Sequence, residues 1–457
     1  MKLPTQQALL RSLIDTSEWK LTPYQILVLG FAVLIFLGTF LLMTPLASAS
    51  GQSLSFIDAL FTATSAVCVT GLVVVDTGTY FTLFGQMVII FLIQVGGLGI
   101  MTMTTLMALL TGKKIRLRER LVIQEALNQL SLAGVVKLTS YIIKVTLCIE
   151  FIGGTILALR WYDEYSLMGI YMGYWHAVSS FCNAGFDLFG HFSSLTHYVG
   201  DFTVNMTVCS LIILGGIGFT VISDVRDASS FRRCSLHTRI VLMTTAVFLV
   251  AGTIGIFFLE LLNVKTLGSL SWVDKLLASF FQSVTTRTAG YNTLDISQMN
   301  QATWLYMIFL MFIGASPAST GGGIKTSTFA VIVMAIGAFT RGKTEAEIFE
   351  RRISHVTTYK AFTVFFMAAG LVVLACMVLS ITEQTPFINI LFEVVSAFGT
   401  VGLSTGITPG LSPVGKIGII ITMFAGRVGL MTIILALVLR ERKKSVVQYP
   451  EGKIIIG

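Results

Sequence analysis

Eight stretches of this 457-residue chain are almost free of charge: approximately 25–45, 83–110, 140–160, 202–223, 240–262, 302–340, 361–382 and 416–440. Crossing a bilayer takes roughly 20 such residues in helical form. The charges between the runs fall in blocks. Of the 31 Lys and Arg, 24 lie at 1–24, 111–144, 224–239, 341–360 and 440–457, while acids cluster near 58–76, 163–201, 274–295 and 383–393. Basic and acidic flanks therefore alternate along the chain, which is the positive-inside pattern and places both termini in the cytoplasm. Only 12% of the residues are charged and 54% are hydrophobic, with a mean hydropathy of +0.83. Soluble domains carry about a quarter charged residues, so a water-soluble globule is excluded. The reading is an all-α, multi-pass membrane protein of eight transmembrane helices with the lipid bilayer as its first partner.

The net charge of +8 belongs to those blocks. A run such as Lys113, Lys114, Arg116, Arg118 and Arg120 is a topology signal, and no nucleic acid is expected. Six cysteines, Cys68, Cys148, Cys182, Cys209, Cys234 and Cys376, lack paired ligand spacing, so neither a disulfide frame nor a zinc site is expected. The first apolar run starts near Gln25 and is long enough to span, which reads as a retained helix rather than a signal peptide.

Four segments end alike: SAVCVTGL at 65–72, SSFCNAGF at 179–186, VTTRTAGY at 284–291 and SAFGTVGL at 396–403. Their glycines, Gly71, Gly185, Gly290 and Gly402, are separated by 114, 105 and 112 residues. A second glycine-rich element follows each: QVGGLG at 94–99, LGGIGF at 214–219, STGGGIK at 319–325 and FAGRVG at 424–429. A period near 110 implies four copies of helix, pore loop, helix, arranged pseudo-symmetrically around one central pore. The expected organisation is a cytoplasmic N-terminus at 1–20, repeats at 21–112, 137–224, 238–342 and 357–445, and a cytoplasmic tail at 446–457. The apolar pieces ending at the glycines, such as 56–76, are too short to cross twice. They enter from outside and turn back, and non-helical backbone at that depth must line a cavity or be buried by protein.

A dehydrated metal cation needs oxygens in place of its water, and backbone carbonyls supply them without a permanent charge. Aiming carbonyls inward needs unusual backbone angles, which glycine adopts without a Cβ penalty. The short helices expected at 56–67, 272–284 and 387–398 would point their negative C-terminal ends at that place. Asp58, Asp76, Asp187, Asp295 and Glu393 lie on the outer side as a potential focusing field, each also readable as a solvated loop acid or helix-start residue. No ring of charged side chains occupies the turns. The matching positions hold Cys68, Cys182, Arg287 and Gly399, and Arg287 is expected to point behind its strand to an acidic partner.

These residues resemble the Trk/Ktr/HKT superfamily of potassium transporters, and in size the KtrB-like membrane subunits within it. The likeness rests on the four glycine turns, TRTAGY at 286–291, the broken third inner helix and the arginine in the fourth, and it runs from about 20 to 445. The resemblance implies potassium uptake across the bacterial cytoplasmic (inner) membrane, with potassium as cargo and sodium as a second ion. It implies a potassium-binding filter of Val67, Cys68, Val69, Thr70 and Gly71; Cys182, Asn183, Ala184 and Gly185; Arg287, Thr288, Ala289 and Gly290; and Gly399, Thr400, Val401 and Gly402. Sodium-permeable relatives carry serine at the first glycine position, where this chain has Gly71. A homodimer docked on a cytoplasmic KtrA-like nucleotide-binding ring is also implied. The alternatives are a sodium-permeable relative, or a membrane scaffold or sensor.

The run 302–340 is 39 residues long, about 60 Å as one helix against about 30 Å of hydrocarbon, so it must break. GASPASTGGGIKTS at 314–327 is the expected break, an intramembrane gating loop carrying Gly314, Ala315, Ser316, Pro317, Thr320, Gly321, Gly322, Gly323 and Lys325. The order of its glycines and Lys325 superficially suggests a phosphate-binding loop, but Ile324 intervenes and no strand precedes it, so no nucleotide site is expected on this chain. Arg427 is expected midway along the last span, facing the bundle or a wet cavity, as part of the gate or paired with Glu150. His176, His191, His197, His237 and His355 have no nucleophile or metal cluster around them; an enzyme is not expected.

Overall fold

The computed structural model describes residues 21–99, 117–126, 135–228, 230–343 and 345–437, with Thr102. The expected terminal segments 1–20 and 446–457 and the basic residues Lys113, Lys114 and Arg116 lie outside these residues.

The order long helix, short helix, second helix recurs four times. The first unit holds α1 (Pro23–Leu42), α2 (Phe56–Val67) and α3 (Leu83–Leu98), followed by α4 (Leu117–Ala126). The second holds α5 (Val135–Tyr165), α6 (Leu167–Phe181), α7 (Phe202–Ile217) and α8 (Phe219–Asp227). The third holds α9 (Leu236–Glu260), α10 (Trp272–Thr285), α11 (Gln301–Phe312) and α12 (Thr326–Phe339), then a small hairpin of β1 (Glu347–Ile348) and β2 (Arg351–Arg352). The fourth holds α13 (His355–Thr382), α14 (Phe387–Gly399), α15 (Pro413–Val428) and α16 (Leu430–Leu437).

Local chemistry marks where these helices begin. Thr22 and Gln25 form a capping box ahead of α1 with Pro23 in its first turn. Ser55, Thr82, Asp201, Ser235, Ser271, Ser354 and Ser412 each accept a backbone N–H at the start of their helices. Such caps satisfy donors that the helix itself leaves free.

Two different exposures separate the long helices from the short ones. Phe40, Leu159, Val250 and Phe366 are apolar and mostly exposed along α1, α5, α9 and α13, as a lipid-facing surface requires. The glycine-proximal halves of α2, α6, α10 and α14 are buried instead. In the second, third and fourth units a charged residue at the end of the long helix clamps the start of the second helix. Glu260 accepts from Asn300 N–H (2.8 Å) and the Thr303 hydroxyl at the start of α11, Glu383 accepts from Ser412 at the start of α15, and Arg160 pairs with Asp201 at the start of α7 (2.7 Å).

Four helices, α1, α5, α9 and α13, are each long and apolar enough to cross a membrane; α7–α8 and α15–α16 meet the same test only as pairs, bent by 92° and 94°. Length and composition thus account for four to six crossings among the described residues, against eight apolar runs in the sequence. The difference lies in the second helix of every unit. The sequence suggests a break only in the third, yet α3, α7 and α15 also stop, each at a glycine with positive φ: Gly99 (85°), Gly218 (100°) and Gly429 (88°). Such a backbone angle, open to glycine without strain, turns the chain out of the helix.

Candidate functional site: a ring of four glycine strands above a packed loop

Each short helix ends directly at a strand of unusual backbone. Two residues before the glycine, Val69, Asn183, Thr288 and Thr400 have φ of 51°, 58°, 69° and 50°, and the glycines Gly71, Gly185, Gly290 and Gly402 have φ of 90°, 70°, 81° and 93°. The left-handed region costs a non-glycine residue about 1–2 kcal/mol. Four copies of the same costly pair mark a shared geometric requirement. In an extended strand successive peptide groups point to opposite sides; a left-handed residue at every second place undoes that alternation, so neighbouring carbonyls can face one side.

The four strands close a ring. A Cβ added to Gly71 would fall 2.5 Å from the Ala184 carbonyl oxygen, one on Gly185 2.6 Å from that of Ala289, one on Gly290 2.6 Å from that of Val401, and one on Gly402 2.2 Å from that of Thr70. Each glycine therefore meets the peptide before the next unit's glycine, and the fourth returns to the first. Above the ring opens a cavity of about 310 Å³, lined by the four glycines with Asp76, Asp187, Asp295 and Ser404 among others. Of the five outer acids, Asp76, Asp187 and Asp295 line this mouth. Asp58 instead pairs with Lys416 (2.7 Å), and Glu393 is fully buried behind the fourth strand.

The residues before the glycines pack inward rather than into the mouth. Val67, Cys68, Val69, Thr70, Cys182, Asn183, Ala184, Thr288, Ala289, Gly399, Thr400 and Val401 are all buried, and the Asn183 amide lies 3.2 Å from the Thr288 hydroxyl, tying second strand to third. Arg287 does not behave as the sequence suggests. It is buried, no carboxylate pairs with it among the described residues, and its Nε and Nη2 are without hydrogen-bond partners.

Beneath the ring lies the break of the third unit. Ile313 bridges Ile324 as a β-bridge, with Gly314 N–H donating to the Ile324 carbonyl (2.9 Å), and this closes residues 313–324 into a loop. Its backbone is satisfied by the other units. Ser316 and Thr320 N–H donate to Gly216 (3.0 Å) and Gly215 (3.2 Å) carbonyls, Gly323 N–H to the Gly426 carbonyl (3.3 Å), and Gly322 N–H to the Thr400 hydroxyl (3.0 Å). A Cβ on Gly321 would overlap the Thr288 hydroxyl, so loop and strands are in contact. Ser316 also meets Thr326 through their hydroxyls (3.0 Å), Thr326 N–H donates to Ala315 (3.3 Å), Pro317 packs by its carbonyl against Gly218, and Lys325 Nζ donates to the Gly321 carbonyl (2.7 Å).

Arg427 joins this layer beside the loop, and not through the alternative pairing with Glu150. It stands in the last turn of α15, next to the bend at Gly429, rather than mid-helix. It makes no pair with Glu150, whose Oε2 accepts from Gln94 Nε2 (3.2 Å). Arg427 Nη1 donates to the Thr320 carbonyl of the loop, and Nη2 to the carbonyls of Gly96 and Gly97 (2.9 Å to the latter) at the end of α3. A planar guanidinium satisfies several carbonyls that helix ends and loops leave free. The half-buried cation is thus held by peptide dipoles.

One set of supports escaped the sequence reading. In its last four residues, each short helix carries a hydroxyl that ties its own strand. Ser65 and Ser396 accept the N–H of Gly71 and Gly402 (both 3.1 Å), while Ser179 and Thr285 donate to the carbonyls of Phe186 (2.9 Å) and Tyr291 (2.6 Å). Recurrence of Ser or Thr five or six places before every filter-type glycine was the available signal.

Such an arrangement, four glycine strands closed into a ring with an ordered loop beneath and an acidic mouth above, suits passage of a small cation. Sequence comparison places it. The chain belongs to the TrkH family, described as cation transport protein, which matches residues 7–448. It is 46% identical to the Ktr system potassium uptake protein B of Bacillus subtilis (strain 168), over 96% of this chain and 98% of that protein. It is 43% identical to the potassium/sodium uptake protein NtpJ of Enterococcus hirae, again over 96% and 98%. Among solved structures, the potassium transporter TrkH from Vibrio parahaemolyticus matches with a TM-score of 0.73 at 17% identity, covering 93% of this chain and 86% of that one. The chain is a multi-pass membrane transport protein and not an enzyme.

Proposed function

We propose that this chain takes up potassium across the bacterial cytoplasmic membrane through one pore made by four pseudo-symmetric helix, pore-loop, helix repeats, eight crossings in all. The filter is formed by the carbonyls of 67–71, 182–185, 287–290 and 399–402. They replace the water of the dehydrated ion, and the acids at the mouth raise its local concentration. The loop 314–327, held by Arg427, is the gate: flux requires that the guanidinium release the Thr320 carbonyl and the loop leave the axis. The single observation that carries this reading is the closed ring in which every glycine abuts the peptide before the next.

Potassium as cargo is supported by the names of the Bacillus subtilis relatives, potassium uptake proteins B and D of a Ktr system. A homodimer on a cytoplasmic nucleotide-binding ring suits a protein of a multi-component system, with both termini on the cytoplasmic side and no nucleotide on this chain. Sodium enters as a coupling or activating ion, a reading favoured by the name of the Enterococcus relative.

The test is Gly71→Ser, with potassium and sodium flux measured separately in liposomes. A Cβ there meets the Ala184 carbonyl and must adopt a left-handed angle, so the potassium-to-sodium ratio should fall about tenfold, the scale of 1.4 kcal/mol in relative barrier. An unchanged ratio counts against the filter assignment. Liposomes that pass no rubidium with the native chain, with or without a cytoplasmic partner, favour the scaffold or sensor instead.

A further inference from the structure

Behind the ring, each short helix presents a second polar residue three positions before its strand-tying hydroxyl: Thr62 before Ser65, His176 before Ser179, Gln282 before Thr285 and Glu393 before Ser396. Residues three apart share a helix face, so the two form rungs on the side turned to the strand. All four upper-rung residues are buried.

Three of them reach the chain just beyond the glycine. His176 Nε2 accepts the Leu188 N–H (3.2 Å); its Nδ1 lies 2.7 Å from the Met172 carbonyl, which assigns the ring proton to Nδ1. Gln282, with its amide oriented by its neighbours, accepts the N–H of Thr293 (3.1 Å) and Leu294 (3.2 Å). Glu393 accepts the hydroxyls of Ser404 (2.9 Å) and Thr408. The first unit differs. Thr62 donates to the Asp58 carbonyl of its own helix (2.9 Å), and among the described residues no hydrogen bond from an α2 side chain reaches residues 72–75.

We propose that His176, Gln282 and Glu393 are positioning residues that brace the outer ends of the second, third and fourth filter strands, leaving the first strand as the one compliant wall of the ring. All three use different chemistry for one task, acceptance of hydrogen bonds from the segment two to six residues past the glycine. That convergence of imidazole, amide and carboxylate at one helical position is what a common positioning role requires and what independent packing would not produce. Where cavity size sets selectivity, discrimination between ions of different radius depends on how far the strands yield around the smaller one. Three strands braced at their outer ends and one without that brace confine the yielding to the first.

The inference rests on the potassium-filter reading, and the experiment separates the two. Native chain in liposomes is measured first for rubidium and sodium flux; absence of rubidium flux overturns the filter reading itself. Then Gln282→Met, Glu393→Met and His176→Leu each remove the acceptor at similar volume, and each should lower the rubidium-to-sodium ratio about three- to tenfold, the effect of one buried hydrogen bond. His176→Gln and Glu393→Gln keep an acceptor and should stay within about twofold of native, as should Thr62→Val, which removes no brace. Ser404→Ala with Thr408→Val removes the donors from the loop side and should reproduce the Glu393→Met shift if that variant does not fold. The proposal is overturned if the apolar variants lower total flux with the ratio unchanged, which would mark a merely structural role, or if Thr62→Val shifts the ratio as much as the other three.

Discussion

The ring and the layer directly beneath it are built on opposite plans. At the ring all four units contribute the same pair of left-handed residues and the same close approach. Beneath it, every second helix stops, but the units diverge: the first, second and fourth end at a single glycine of positive φ, the third inserts the loop 313–325, and among the described residues only the fourth contributes a guanidinium. With the ring as filter and the loop as gate, as proposed, the difference follows from what each level must do. A small cation on an axis is coordinated by oxygens from every side, so no unit can be spared. An axis is closed by one occupant, and four identical loops would collide there. Equality is imposed by coordination, and inequality by exclusion of volume.

The largest effect should come from breaking the equality at its tightest place. Gly402→Ala puts a methyl 2.2 Å from the Thr70 carbonyl oxygen at a φ of 93°, so strain and overlap with fixed backbone add together. Rubidium uptake should fall more than about tenfold, equivalent to over 1.4 kcal/mol in the barrier, while detergent-solubilised protein remains monodisperse. Uptake near native would mean that the fourth strand stands aside from the path, and the four-fold equality would be lost.

The layer below should respond in the opposite direction. Arg427→Ala frees the carbonyls of Thr320, Gly96 and Gly97 and removes the cation that ties the loop to α3. Charge-assisted bonds of this kind contribute about 1.5–3 kcal/mol, so the closed arrangement loses population and basal flux should rise several-fold, with the rubidium-to-sodium ratio little changed. A changed ratio with no change in rate would place Arg427 with the ring instead of the loop, and blur the distinction between the levels.

How much of this was legible beforehand divides along the same line. The ring was visible as four copies of a motif at a fixed period, because the same backbone demand repeated four times leaves the same residue four times. The loop at 314–327 was visible because 39 apolar residues cannot form one crossing. The breaks at Gly99, Gly218 and Gly429 were present as letters but read as helix, since a single glycine near the end of an apolar run serves close packing as readily as a bend. The acidic partner expected for Arg287 and the alternative pairing of Arg427 with Glu150 fail for one reason. A cation in apolar sequence invites the search for a carboxylate, whereas Arg427 is satisfied by carbonyl dipoles whose freedom exists only once the helices have broken. His176 looked inert for want of a cluster around it in sequence, yet its partner, the Leu188 N–H, is backbone and has no letter.

The smallest effect should lie where the ring is joined at its outer rim. Lys416, near the start of α15 in the fourth unit, pairs with Asp58 in the first turn of α2 at 2.7 Å, with side-chain exposures of 15% and 23%. This ion pair closes the circle of units at a level above the glycines, where the backbone contacts do not reach. Being neither solvated nor dry, it should contribute about 1 kcal/mol, between an exposed pair and a buried one. Lys416→Met keeps the stem packed and should lower the thermal midpoint in detergent by a few degrees, with a smaller difference at about 1 M salt, where screening has already weakened the pair. The ion selectivity should not move, since the order of the strands is held by peptide against peptide one level below. A loss of selectivity comparable to that of Gly402→Ala would show instead that the rim sets the geometry of the ring, and that the equality of the four strands is imposed from outside rather than by the ion they surround.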